Sequence, residues 1–299
     1  MHWILPALMA PFMNSAVNFI DKYLVAVRVK NHRVMPLYSS AVNFLFGFLV
    51  WIAIGFSLPD SEIFIFATLS GFLLAIATVI YYDFLSQEST SSVVFAFELT
   101  PVLVLLAAVP LLGQTITAGQ CFGFFLVLTA VLSISYSDGQ KKRISAAFIK
   151  KALAMDFAMA GSIIAINIAL KEISFLQVLC YQGLGMGLGG AVICLFSSAA
   201  RRAFVDNKKN LHNGTTILII ANESLTVLYE WVFYFAYLVG PAALVSVVGG
   251  VRAFYTVVLG FFLAMLFPGV IDEDISKREL TKKIVAAIIL LAGFYFIYS

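Results

Sequence analysis

Residues 241–267 read PAALVSVVGGVRAFYTVVLGFFLAMLF, a run with one charged side chain, Arg252, near its middle and no acidic neighbour. A stretch this long and this apolar predicts a membrane helix. A guanidinium at mid-depth is costly against lipid, so Arg252 should face protein or water. It then either ties helices together or lines a solute path, where it would meet an anionic group or a carboxylate of the same chain.

The rest of the chain reads the same way. Hydrophobic residues make up 62% of the 299 and charged ones 12%, which excludes an ordinary soluble domain and leaves little chain outside apolar runs. At about 20 residues per crossing, ten spans are predicted: 3–20, 37–58, 63–85, 93–112, 118–136, 152–170, 175–196, 215–237, 241–267 and 284–298. The fold class expected is therefore all-α, a polytopic membrane protein. Nothing at the N-terminus reads as a removable signal, and residues 3–20 are taken as the first span. Pro6 and Pro11 predict a kink there, and Asp21 and Lys22 mark its end or a last turn leaning into a wet cavity.

Cys121, Cys180 and Cys194 sit in apolar runs without metal-ligand spacing and read as small hydrophobes. The only histidines, His2, His32 and His212, stand near span ends; no metal or cofactor is expected. The glycine-dense 183–190 segment of span 7 predicts a flat face for a neighbouring backbone, ahead of local unwinding around a ligand. No P-loop, HExxH or glycine fingerprint after a strand is present, so the chain is not expected to be an enzyme and has no nucleic-acid signature. Glu223 and Glu230, two turns apart on one face of span 8, lie about 10 Å apart along the axis, too far for a close acid/base pair.

Spans 1–5 and 6–10 look like two copies of one unit, residues 1–137 and 138–299. Asn18-Phe-Ile-Asp-Lys22 sets beside Asn167-Ile-Ala-Leu-Lys171, Pro101 falls opposite Arg252, and each half ends in a charge-free helix. An odd number of spans per copy makes the two copies inverted, and inverted repeats point to a transporter with its site at the repeat interface. Apart from Lys171 and Arg252, all 19 basic residues lie in four links on one face, after spans 1, 5, 7 and 9. The positive-inside bias puts that face in the cytoplasm and both termini outside.

Several local sequences resemble the drug/metabolite transporter superfamily and, within it, the EamA-like ten-helix members. These are Asn18…Lys22, the SQESTSS run at 86–92, Glu98…Pro101, Gly113-Gln114 and Tyr237-Leu-Val-Gly-Pro241. The resemblance implies a central cavity surrounded by helices 1–4 and 6–9, with helices 5 and 10 peripheral and both termini cytoplasmic, against the charge bias. Arg252 stands where the second repeat of that family often has a proline, and Gly113-Gln114 lacks the acidic residue that commonly follows.

The candidate substrate-binding residues are Glu98, Arg252, Glu230, Glu223, Tyr82, Tyr229, Asn18 and Tyr255, with Asp83 a lesser candidate. A cavity with carboxylates and one guanidinium fits a zwitterion, Arg252 taking a carboxylate and a glutamate the amine. A buried glutamate could instead release a proton as solute binds, which is proton coupling. An ion pair of Arg252 with Glu98 or Glu230 that only fixes helix register is the competing reading. The function expected is secondary transport of a small polar or amphipathic metabolite, amino-acid-like, across the cell membrane, by a monomer or homodimer among membrane lipids. A channel or a non-transporting scaffold is the alternative, and an intramembrane enzyme stands behind both.

Overall fold

The computed structural model describes residues 3–29, 31–57, 61–87, 93, 99–135, 146–210, 213–266 and 277–298. Its described residues are helical, with no strand among them. In chain order the helices are α1 (Ile4–Tyr23), α2 (Met35–Ala53), α3 (Ser61–Gln87), α4 (Thr100–Leu112) and α5 (Ala118–Ser135). Next come α6 (Ala146–Glu172), α7 (Phe175–Phe196), α8 (Ser198–Asn210) and α9 (Asn213–Val239). The last three are α10 (Ala242–Gly249), α11 (Arg252–Leu266) and α12 (Lys277–Tyr298). A π-helical turn, Leu24–Arg28, extends α1, and a 3-10 turn, His32–Val34, leads into α2.

Among the described residues, six helical stretches are long and apolar enough to cross a membrane: His32–Ala53, Glu62–Gln87, Phe148–Glu172, Phe175–Phe196, Asn213–Val239 and Ala242–Gly260. Three shorter apolar helical stretches accompany them, Thr100–Leu112, Ala118–Ala130 and Val285–Ile297. Large apolar side chains such as Leu106, Leu111, Leu195 and Leu291 are exposed on the outside, as lipid-facing positions require.

Two departures from the sequence reading bear on the site. The segment opened by residues 241–267 is not one rod. Val251 N–H bonds the Val248 carbonyl and Ala253 N–H the Gly250 carbonyl, so the helix tightens into three-residue bonds at Gly250 before α11 starts at Arg252. Gly249 makes room there: a Cβ on it would lie 2.6 Å from the Phe233 ring of α9. Secondly, part of the basic link after residue 196 is helical, as α8. Arg201 of α8 donates to the carbonyls of Cys194 and Leu195, which closes the C-terminus of α7.

Helix ends follow local chemistry. Ser174 and Gln177 form a reciprocal capping box at the start of α7. Gly113, at φ +64°, turns the chain out of α4, and the next residue, Gln114, accepts from the Ala243 N–H at the start of α10. The Gly113-Gln114 pair thus links the end of α4 to the start of α10. Lys22 donates to the Leu85 carbonyl near the end of α3, and Lys171 to the Leu112 carbonyl at the end of α4, two cations at helix C-termini.

The glycines of α7 are a packing face, as the sequence predicted. A Cβ on Gly183 would lie 2.7 Å from Gly47 Cα of α2, and one on Gly190 2.5 Å from Ser40 Cβ. One on Gly71 of α3 would collide with the Gln182 carbonyl of α7. α5 and α12 pair closely on their own, with Gly123 set against the Gly293 backbone.

Candidate functional site

Two adjoining chambers lie among the helices. The larger, about 110 Å³, is lined from α1 (Ala10, Pro11, Asn14), α3 (Leu74), α4 (Thr100, Pro101), α6 (Met159, Ser162, Ile163), α9 (Tyr229, Glu230, Phe233, Tyr234, Tyr237) and the α10–α11 segment (Ser246, Gly249, Gly250, Arg252). The smaller, about 50 Å³, reaches toward the C-terminal ends of α1 and α3 and is lined by Val17, Asn18, Asp21, Ser39, Ala77, Thr78, Tyr81, Tyr82 and Thr226. Six residues face both: Asn14, Leu74, Met159, Tyr229, Glu230 and Arg252. Arg252 and Glu230 therefore stand on the shared wall, where one solute could meet a cation and an acid together.

The tightened turn at Gly250 is what sets Arg252 there. It places the residue at the first position of α11, and α1 fixes that point: Ser15 Oγ lies 3.1 Å from the Arg252 carbonyl and 3.2 Å from Thr256 Oγ1. Helix α9 supplies the acids. Glu230 is buried, and its Oε2 has no hydrogen-bond partner among the described residues. The hydroxyl of Tyr237, two turns further on, is likewise buried without one. An acid oxygen and a hydroxyl left in this state inside a cavity are groups that a ligand or water can satisfy.

Around the smaller chamber the polar groups are bonded to one another. Asp21 Oδ1 accepts from Asn222 Nδ2 at 2.7 Å and from the Tyr82 hydroxyl at 3.0 Å, while Oδ2 accepts from the Tyr81 hydroxyl at 2.9 Å. Tyr81 also lies 3.0 Å from Asn18 Oδ1, and Tyr82 lies 2.9 Å from Glu223 Oε1. On α6, Asp156 accepts from the Thr100 hydroxyl at 2.5 Å and keeps its second oxygen buried with no hydrogen bond among the described residues.

Of the residues singled out from sequence, the structure brings Arg252, Glu230 and Tyr229 onto the shared wall and Asn18 and Tyr82 onto the smaller chamber. Glu223 lies behind Tyr82 and lines neither chamber. Tyr255 packs edge-on against Phe12, ring centres 5.6 Å apart, and lines neither. Glu98 lies outside the described residues. Asp83 sits away from both chambers, paired with Lys151 at 2.5 Å and 3.5 Å from His32. The list drawn from sequence left out Asp21, which lines the smaller chamber, and Asp156, which accepts from Thr100 on the wall of the larger one. Each is an acid inside an otherwise apolar helix, and that was the available signal.

Among the described residues, α5 and α12 contribute none to either chamber, in line with the peripheral role that the resemblance implies for helices 5 and 10. α7 contributes none either, because its glycine face is spent on α2 and α3.

A solved crystal structure of a protein 13% identical in sequence superposes with a TM-score of 0.70 over 98% of this chain and 94% of that one, so the overall fold is shared. No curated protein matches the sequence. Residues 3–136 match the model of the EamA-like transporter family. That match bears out the resemblance drawn from Asn18…Lys22 and Gly113-Gln114, both of which it covers: over residues 3–136 the chain is similar to the EamA-like transporter family of the drug/metabolite transporter superfamily.

Proposed function

We propose that this chain is a secondary transporter of a small polar or amphipathic metabolite, amino-acid-like in carrying a carboxylate and an amine, that works by alternating access in the cell membrane. The observation that carries the reading is the wall shared by the two chambers, where Arg252 and Glu230 face the same enclosed space. The guanidinium suits a carboxylate and Glu230 an ammonium. Tyr229 adds an aromatic face beside them.

Ten crossings in two inverted repeats, residues 1–137 and 138–299, belong to this proposal. Helix packing supports it, because exchanging the halves leaves the main contacts in place. α1 packs on α9 as α6 packs on α3, and α4 packs on α6 as α10 and α11 pack on α1. α2 with α7, α5 with α12 and α4 with α10 are each a helix against its own counterpart. Gly47 against Gly183, and Gly123 against Gly293, mark two of those self-paired crossings. Rocking of one half on the other about such close crossings would open the chambers to either face in turn.

The test is counterflow of a labelled amino-acid panel in proteoliposomes. Saturable exchange of at least one amino acid, reduced by Arg252→Gln and by Glu230→Gln, is expected. Unchanged exchange in both variants would remove the site. Flux that never saturates would indicate a channel, silence across the panel a scaffold, and a chemically altered solute an enzyme.

A further inference from the structure

Tyr82 stands between two buried carboxyl groups and has one proton to give. Its hydroxyl lies 3.0 Å from Asp21 Oδ1 and 2.9 Å from Glu223 Oε1, and none of the three residues is more than 3% exposed. Asp21 takes two further donors, Asn222 Nδ2 at 2.7 Å and the Tyr81 hydroxyl at 2.9 Å. Three donors on one carboxyl group suit its ionised form.

The hydroxyl of Tyr82 cannot donate to both acids at once. When it donates to Asp21, it turns a lone pair toward Glu223, and that contact is a hydrogen bond only when Glu223 carries a proton and donates it. When Tyr82 donates to Glu223 instead, Asp21 must carry the proton. In either arrangement the two acids hold one proton between them. Tyr82 can pass it across: the Glu223 O–H bond breaks as a new one forms on the phenol oxygen, while the phenol's own proton moves to Asp21. Glu223 Oε2 is fully buried and has no hydrogen-bond partner among the described residues. A neutral acid's carbonyl oxygen tolerates that position far better than an ionised carboxylate does.

We propose that Asp21, Tyr82 and Glu223 form a binding site for one exchangeable proton, separate from the solute site at Arg252 and Glu230. The site needs no metal ion, since the donors at 2.7–3.0 Å already occupy the Asp21 oxygens. Asp21 and Tyr82 line the smaller chamber, a polar cavity of about 50 Å³ with room for water that would take the proton. The other groups that face it are Asn18 on α1, Ser39 on α2, Tyr81 on α3, and Tyr229 and Glu230 on α9, with Arg252 on α11, while Lys22 on α1 is turned to the Leu85 carbonyl. Loss of the proton would leave two carboxylates sharing one hydroxyl across the α1–α9 contact, a repulsion that favours separating those helices. Resting on the transporter reading, this proton is the coupling ion.

Infrared difference spectra of the purified protein in lipid bilayers, taken across a pH step without solute, test the site. A protonated-carboxyl band present near neutral pH and lost on alkalinisation is expected. Glu223→Gln and Asp21→Asn should each remove it, because the new amide supplies the missing donor permanently. Tyr82→Phe should shift it, through loss of one hydrogen bond. A spectrum without the band, or a band that survives both amide variants, would overturn the proposal, as would one that responds to sodium and not to pH. Silence of the amino-acid panel would sink the transporter reading while leaving the band untouched. A transported amino acid indifferent to an imposed pH gradient would overturn the coupling.

Discussion

The two chambers share six wall residues, Glu230 among them, yet differ in how far the rest of their polar groups bond to one another. In the smaller one the acid is enclosed: Asp21 accepts from Tyr81, Tyr82 and Asn222. In the larger one the wall is mostly aromatic and apolar, and the Glu230 acid oxygen and the Tyr237 hydroxyl are buried without hydrogen bonds among the described residues. Bonded polar networks fix a structure, whereas unsatisfied buried groups are places for something to bind. The smaller chamber keeps some of the latter, Asn18 Nδ2 among them, but its acid is bonded three times over, which supports the proposal of a solute in the larger chamber and a proton in the smaller.

Arg252→Gln should break the contrast most. Losing one partner of a buried charged contact costs about 2–5 kcal/mol, so transport efficiency should fall on the order of 100-fold. Kinetics in proteoliposomes would measure it. A similar loss from Tyr81→Phe would show that the chambers do not divide the work.

Glu230→Gln should follow, with a loss of roughly 10-fold, as expected for replacing a charged acceptor by a neutral one. The loss should appear in KM, and it should be larger for a solute with an ammonium group than for its deaminated analogue. Equal losses for the two solutes would detach Glu230 from amine recognition.

Much of this arrangement was legible in the chain itself. Ten apolar runs and the lone charge in residues 241–267 led to a helical membrane protein with Arg252 facing inward, because burying charge against lipid is so costly. The glycine face of α7 was legible for the same reason that it packs: no side chain stands between two backbones. The smaller chamber was harder to see. Asp21 adjoins Lys22 and reads equally as the end of a span or as a last turn leaning into a cavity; Lys22 reaches back to the Leu85 carbonyl while Asp21 turns inward. Only the meeting of α1, α3 and α9 shows that difference. The break at Gly250 had a local signal in Gly249-Gly250, yet composition could not separate a tightened turn from a continuous helix. α8 was hidden by its charge, since a segment with Arg201, Arg202, Lys208 and Lys209 reads as a link whether or not it is helical.

A subtler change sharpens the contrast. Tyr237→Phe removes a buried hydroxyl that has no hydrogen bond among the described residues, so the solute-free protein should be unharmed or gain about 1 kcal/mol. Thermal unfolding should show this as an unchanged or slightly raised Tm. Affinity for a transported solute should fall at the same time if the hydroxyl serves the solute. A lowered Tm in the solute-free variant would mean that the group already has a partner, such as bound water, and that the larger chamber is as internally satisfied as the smaller.

The smallest effect belongs to the ion pair outside both chambers. Asp83 of α3 meets Lys151 of α6 at 2.5 Å, with His32 at 3.5 Å, and the two paired side chains are 29% and 49% exposed. Exposed pairs of this kind contribute about 0–1 kcal/mol, so Asp83→Asn should lower Tm only slightly and leave KM unchanged. The pair nevertheless joins α3 to α6, helices that the proposed repeat places in opposite halves, and the proposed rocking would break it if it parted them. Transport by Asp83→Asn should therefore match the native rate at high salt, where the native pair is itself screened. A KM defect that persists at high salt would carry the solute path out to Asp83 and end the division between two working chambers and an inert rim.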